Sequence, residues 1–184
     1  DQVGTWCFDA EPEHSVTPLQ ALKEKYGNRV IGVPGLTYSR DKSREGIARA
    51  VAAARGADVV LYFAGEEAVL SGEARCRADI SLPGAQTELL KALKATGKPV
   101  VMIVMAGRPL TIPEECELAD AVIYSFHAGT MAGPGLADVL SGEVVPSGKL
   151  PVTLPRMVGQ IPVYYAHKNT GRPSEPDDAH FIRF

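Results

Sequence analysis

Two kinds of hydrophobic pattern alternate along this chain: short runs that are apolar throughout, and longer stretches that are apolar every third or fourth position. ADVVLYFA (57–64), KPVVMIVMAG (98–107) and AVIYSF (121–126) are of the first kind and predict strands covered on both faces, and the shorter RVIGV (29–33) predicts another. Helical spacing places Ile47, Val51 and Ala54 on one face of residues 41–55, and Leu136, Val139 and Leu140 on one face of 132–141, just before Gly142. Thr17, Pro18 and Gln20 make a helix start: the Thr hydroxyl caps, Pro takes the first helical position and Gln reaches back. Gly27 closes that helix. A further helix begins near Pro83, turns Leu89, Leu90 and Leu93 inward, and ends at a left-handed Gly97 with Pro99 beyond.

Strands alternating with helices on short connections predict an α/β fold, a doubly wound and mostly parallel sheet sandwiched by helices. The loops 64–82, 106–110 and 127–131 should then share one rim, where open α/β sheets hold their ligands. We expect residues 1–154 to form this sandwich domain. Residues 155–184 carry neither period, are rich in proline, and read as an extended tail that packs on a neighbouring domain or leads to one.

A chain of 184 residues with 45% hydrophobic content fits one ordinary globular domain. Its net charge of −3, with both signs interspersed, gives no stripe for nucleic acid and no polybasic run for a membrane surface, which leaves neutral ligands and protein surfaces as partners. Cys7, Cys76 and Cys116 form no CxxC and no Cys/His cluster, so they read as free thiols, with no disulfide framework and no metal site. No apolar run approaches the roughly 20 residues that span a bilayer. The chain opens on Asp1 and Gln2 without an initiator Met or signal sequence, and so reads as a processed chain or an excised piece.

Nucleotide fingerprints are missing, and AGTMAGPG (128–135) has the wrong glycine spacing, so no cofactor is expected. Neither Ser71 nor Ser125 sits in a GxSxG elbow, which leaves His127 with no nucleophile to serve. What remains is GEEAVLSGEARCRADISLPG (65–84), a polar loop after a strand that sets carboxylates beside Arg75 and Arg77. A carboxylic acid on such a loop is equipped for general acid or base work, and Glu73 is the leading candidate. A solvated Glu73 paired with a neighbouring arginine is the plainer reading of the residues alone. Glycoside hydrolysis needs a second carboxylate; Glu66 and Glu67 are candidates, although either could as easily orient the loop.

Four segments, GEEAVLSGEARCRADISLPGAQ, KATGKPVVMIVMAGRPL, GLADVLSGEVVPSGKLPVTLPR and VGQIPVYYAHKNTGRP, resemble in that order the second, α/β-sandwich domain of glycoside hydrolase family 3, the β-glucosidase-like enzymes. The likeness runs from about residue 57 to 173. It implies a retaining, exo-acting β-glycosidase acting on a β-glucoside or oligosaccharide. The nucleophilic aspartate would then lie on an N-terminal (β/α)8 barrel of the same enzyme, and Glu73 of the GEA motif would be the acid/base. Arg75, His127, Asn169 and Arg172 are candidate sugar contacts; Arg75 and Arg77 are alternatively loop anchors, paired with Asp79 or a carboxylate at the sheet rim. Trp6 is either a stacking platform for a sugar ring or an anchor for the N-terminal segment. The chain differs from many members at Met131, where they carry Glu, and it shows neither a barrel nor the apolar strand that usually opens this domain. The alternative reading is a non-catalytic sandwich domain for interdomain packing or carbohydrate binding.

Overall fold

Three of the apolar runs become a parallel sheet: β1 (Val60–Gly65), β2 (Val100–Met105) and β3 (Ala121–Tyr124), in the order β1-β2-β3. The computed structural model describes residues 2–9 and 11–168. Tyr62 pairs with Met102 and Met102 with Val122, while Gly65 pairs with Met105 and Val104 with Tyr124, so the carboxyl ends lie side by side. Among the described residues, five α-helices surround the sheet: α1 (Pro18–Tyr26), α2 (Glu45–Arg55), α3 (Gln86–Lys94), α4 (Pro113–Leu118) and α5 (Ala132–Ser141).

The alternation of side chains along a strand decides which helix lies on which face. Tyr62, Ala64, Val100, Met102 and Val104 pack with Ala50 and Ala54 of α2 and with Leu89, Leu90 and Leu93 of α3. Leu61, on the opposite pleat of β1, packs with Ala21 and Leu22 of α1 and with Ala137 and Leu140 of α5. The sheet is therefore covered on both faces, as expected of a doubly wound α/β fold. Leu90, Met102, Ile103, Val100, Val104 and Leu110 are the largest fully buried side chains, and each contributes about 1.5–3 kcal/mol of hydrophobic free energy.

The strand expected at 29–33 is absent. Gly27–Arg29 closes into a 3-10 turn, so Arg29 is not extended, and the following residues run past the sheet without joining its ladder. A Cβ on Gly32 would sit 2.8 Å from a Leu19 methyl, so this stretch lies flat on α1, while Ile31 remains 70% exposed. Two helices start later than their sequence pattern implies. Asp41 spends its carboxylate on the backbone N–H groups of Thr37 (3.0 Å) and Ser43 (2.8 Å), and α2 begins only at Glu45. Gly84 has φ +69 in the turn before α3, which begins at Gln86. Beyond α5, the described residues 142–168 hold only turns, extended chain and a 3-10 turn at Val158–Gln160.

Candidate active site

Three loops leave the carboxyl ends of β1, β2 and β3, and they interlock. Glu66 N–H extends the ladder to Met105 O at 2.9 Å, after which the chain turns away. That departure requires glycine at Gly65, where φ is +139 and a Cβ would lie 1.8 Å from Met105 O. The buried Gln86 amide fastens the same point: Oε1 accepts Gly65 N–H at 2.8 Å, and Nε2 donates to the carbonyls of Gly65 (2.8 Å), Ser39 (3.0 Å) and Pro83 (3.0 Å). Sequence reasoning missed Gln86, since a polar residue at a helix start reads as surface.

Glu66 is the centre of the rim. Its side chain has 0% exposure and accepts from two guanidinium groups, Arg77 on one oxygen and Arg108 Nε at 3.1 Å on the other. An isolated buried carboxylate would cost several kcal/mol, and only pairing with saturated hydrogen bonding makes it tolerable. Further guanidinium donors tie down the loop backbone: Arg77 Nη2 reaches Ser81 O at 3.1 Å, and Arg108 Nη2 donates to Leu70 O and, at 2.8 Å, to Arg75 O. Glu67 points elsewhere, to Ser39 Oγ at 2.6 Å and Arg40 Nε at 3.0 Å; the bond from Arg40, then that from Ser39, holds its carboxyl below the usual range. Of the two anchors expected on this loop, Arg77 does meet a sheet-rim carboxylate. Asp79 instead takes the Ser81 hydroxyl (2.7 Å) and N–H (2.9 Å).

Glu73 stands exposed at the tip of the loop, in a turn closed by Arg75 N–H on Gly72 O at 3.2 Å. Ala74 takes φ +58 there, a conformation L-residues enter only at a cost. Arg75 is exposed and contributes its carbonyl to the Arg108 clamp. His127, half-buried at the end of β3, lies with Nε2 3.3 Å from Ser71 Oγ. Ser71 thus meets His127 without lying in a nucleophile elbow; the contact spans 56 residues and no local motif announces it. Burial lowers the His127 pKa and the Glu66 charge partly opposes this. Thr5 Oγ1 donates to Ser71 O at 2.7 Å and to Ala68 O, and between these pieces lies an open cavity of about 380 Å³ bordered by Trp6, Ser71, Gly72, Gly107 and His127. Trp6 is 53% exposed and stacks tilted on Phe8, with ring centroids 5.5 Å apart.

Residues 1–181 match the family described as "Glycosyl hydrolase family 3 C-terminal domain". The chain belongs to this family. It is 40% identical over 198 aligned residues to a protein named "Periplasmic beta-glucosidase" from Salmonella typhimurium, covering 96% of this chain and 26% of that protein. A "Beta-xylosidase" from Formosa agariphila is 36% identical over 88% of this chain and 22% of its own length. Among solved structures, the beta-glucosidase from Listeria innocua in complex with isofagomine superposes with a TM-score of 0.88 at 40% identity, covering 96% of this chain and 24% of that one. The chain spans about a quarter of the length of these relatives.

Within this glycosyl hydrolase family 3 domain, the loops bearing Glu73, Arg75 and His127 meet on one rim. Asn169 and Arg172 lie outside the described residues. The Glu66–Arg108 pairing joins residues 42 apart, and the one local hint of it was a charged pair, GEE, set directly against a strand end.

Proposed function

We propose that this domain lends Glu73 as the general acid/base to a retaining, exo-acting β-glycosidase that removes terminal β-linked glucose. The observation that carries the reading is the placement of an exposed carboxylate at the tip of a turn whose flanking carbonyls are clamped from a buried ion-pair cluster. Membership of glycosyl hydrolase family 3 supports it, and the β-glucosidase name of the Salmonella relative favours glucose over xylose. In the first step Glu73 gives its proton to the glycosidic oxygen as the C–O bond breaks, and an aspartate on a (β/α)8 barrel of the same enzyme takes the sugar covalently. In the second step the Glu73 carboxylate removes a proton from the water that releases the sugar. His127 and Arg75, with Asn169 and Arg172 from the C-terminal segment, serve as sugar contacts in this reading.

The test is Glu73→Gln in the complete enzyme. An alkoxide cannot leave without a proton whereas an activated phenolate can, so hydrolysis of cellobiose should fall by roughly a hundredfold or more while the first step on dinitrophenyl glucoside is nearly spared. Azide should then restore turnover of the activated substrate by forming β-glucosyl azide. Equal losses on both substrates without azide rescue would overturn the assignment.

A further inference from the structure

We infer that buried Glu66, acting through Arg108, is a positioning residue that fixes where Glu73 presents its carboxyl; this rests on the acid/base reading of Glu73. The two oxygens of Glu66 are divided between Arg108 Nε at 3.1 Å and Arg77, and neither is exposed. Arg108 Nη2 passes the constraint on to the carbonyls of Leu70 and Arg75, the second at 2.8 Å. Those two carbonyls bracket the turn that carries Glu73. Arg77 Nη2, at 3.1 Å from Ser81 O, holds the far end of the same loop. One carboxylate therefore fixes both limbs of a loop whose tip would otherwise be free to swing.

The backbone inside the bracket supports this. Ala74 at φ +58 occupies a conformation sparsely populated by L-residues, which persists only where the surroundings over-determine it. The Arg108 clamp provides that determination on both sides. Stability alone gives little reason for the arrangement, since a buried ion cluster is often replaceable by apolar side chains at no loss of stability. Nor is a lysine equivalent at position 108. A guanidinium fork reaches a carboxylate and two carbonyls in one plane, whereas a single ammonium cannot span all three.

The decisive variants are Arg108→Lys and Glu66→Gln in the complete enzyme, with rates normalised to the fraction trapped by a 2-deoxy-2-fluoroglucoside so that misfolded material is not counted. Because a displacement of about 1 Å can cost roughly a hundredfold in rate, kcat/KM on cellobiose should fall by about tenfold to a hundredfold in either variant. The first step on dinitrophenyl glucoside, which needs no proton, should change by less than about threefold, and KM should hold within about twofold. Adding Arg108→Lys to Glu73→Gln should cause no further loss on cellobiose, because the acid it positions is already gone. Equal losses on both substrates, or losses that multiply in the double variant, would show a merely structural clamp and overturn the inference. Should Glu66→Gln fail to fold, Arg108→Lys, which keeps the charge beside Glu66, decides the matter. Azide rescue of Glu73→Gln separates the two claims: rescue with multiplicative losses rejects the positioning role alone, and no rescue rejects both.

Discussion

A carboxylate that accepts backbone N–H groups is held more firmly than one in water, and Asp41 is the clearest example in this chain. Its oxygens take Thr37 N–H and Ser43 N–H, and those two bonds, the Thr37 bond foremost, hold its pKa below the ordinary 3.8. Its own carbonyl receives Ala85 N–H at 2.8 Å, tying the segment before α2 to the start of α3. A carboxyl depressed on folding stabilises fully above its unfolded pKa, and loses that contribution as pH falls through the folded value. Asp41→Asn should therefore lower the urea midpoint most near about pH 7, and the gap to the parent should begin to close only below the ordinary 3.8 and keep closing as pH falls through the lower folded value. A gap that stays constant across that range would mean Asp41 acts by shape and not by charge. Glu67, depressed chiefly by Arg40, belongs to the same class and loses its contribution as pH falls below its ordinary 4.5 and through its lower folded value.

At the scale of elements, local chemistry was legible wherever a cap or a long period existed. Thr17 Oγ1 accepts Gln20 N–H at 3.2 Å and Gln20 Oε1 accepts Thr17 N–H at 3.0 Å, the capping box that the sequence announces at the start of α1. Thr17→Ala should cost about 1 kcal/mol in denaturant unfolding, since the Gln20 N–H at the helix N-terminus then loses its acceptor. An unchanged midpoint would show that the packing of α1 on α5 alone holds the helix. α5 occupies Ala132–Ser141 as its leucine spacing predicts, and the parallel order of β1, β2 and β3 follows from the helices between them. α4 escaped notice because PEECEL is six residues long and carries a single leucine, too little for a period to show. RVIGV failed for the opposite reason: its composition fits a strand, but a ladder needs a partner, and the 3-10 turn at Gly27–Arg29 with the packing of Gly32 on Leu19 sets the segment aside. The site divides in the same way. That three loops share a rim follows from topology, whereas the burial of Glu66 in place of its neighbour Glu67 depends on Arg108, which lies on another loop.

At the scale of the whole molecule, the described residues of this rim place one exposed carboxylate, Glu73, at a loop tip and no second unengaged one beside it. A retaining mechanism needs two carboxyl groups about 5 to 5.5 Å apart, one of them free to attack the anomeric carbon. Among the described residues of this rim, the other carboxylates are already engaged: Glu66 is fully buried between two guanidinium groups, Glu67 is bound by Ser39 and Arg40, and Asp79 accepts from Ser81. Releasing Glu66 to act as nucleophile would strand two arginines in a desolvated site, a cost of several kcal/mol on top of the reaction barrier. The 184-residue chain alone should therefore show no turnover of p-nitrophenyl β-glucoside above a Glu73→Gln control, in a fluorimetric or absorbance assay run with both proteins purified in parallel. Turnover by the parent that the Glu73 variant lacks would mean that this rim holds a complete glycosidase site. If the chain is inactive alone, mixing it with a separately produced barrel domain from a family relative should give glucosidase activity that saturates with chain concentration. That complementation should vanish with Glu73→Gln, because only the proton donor, and not the docking surface, has been removed.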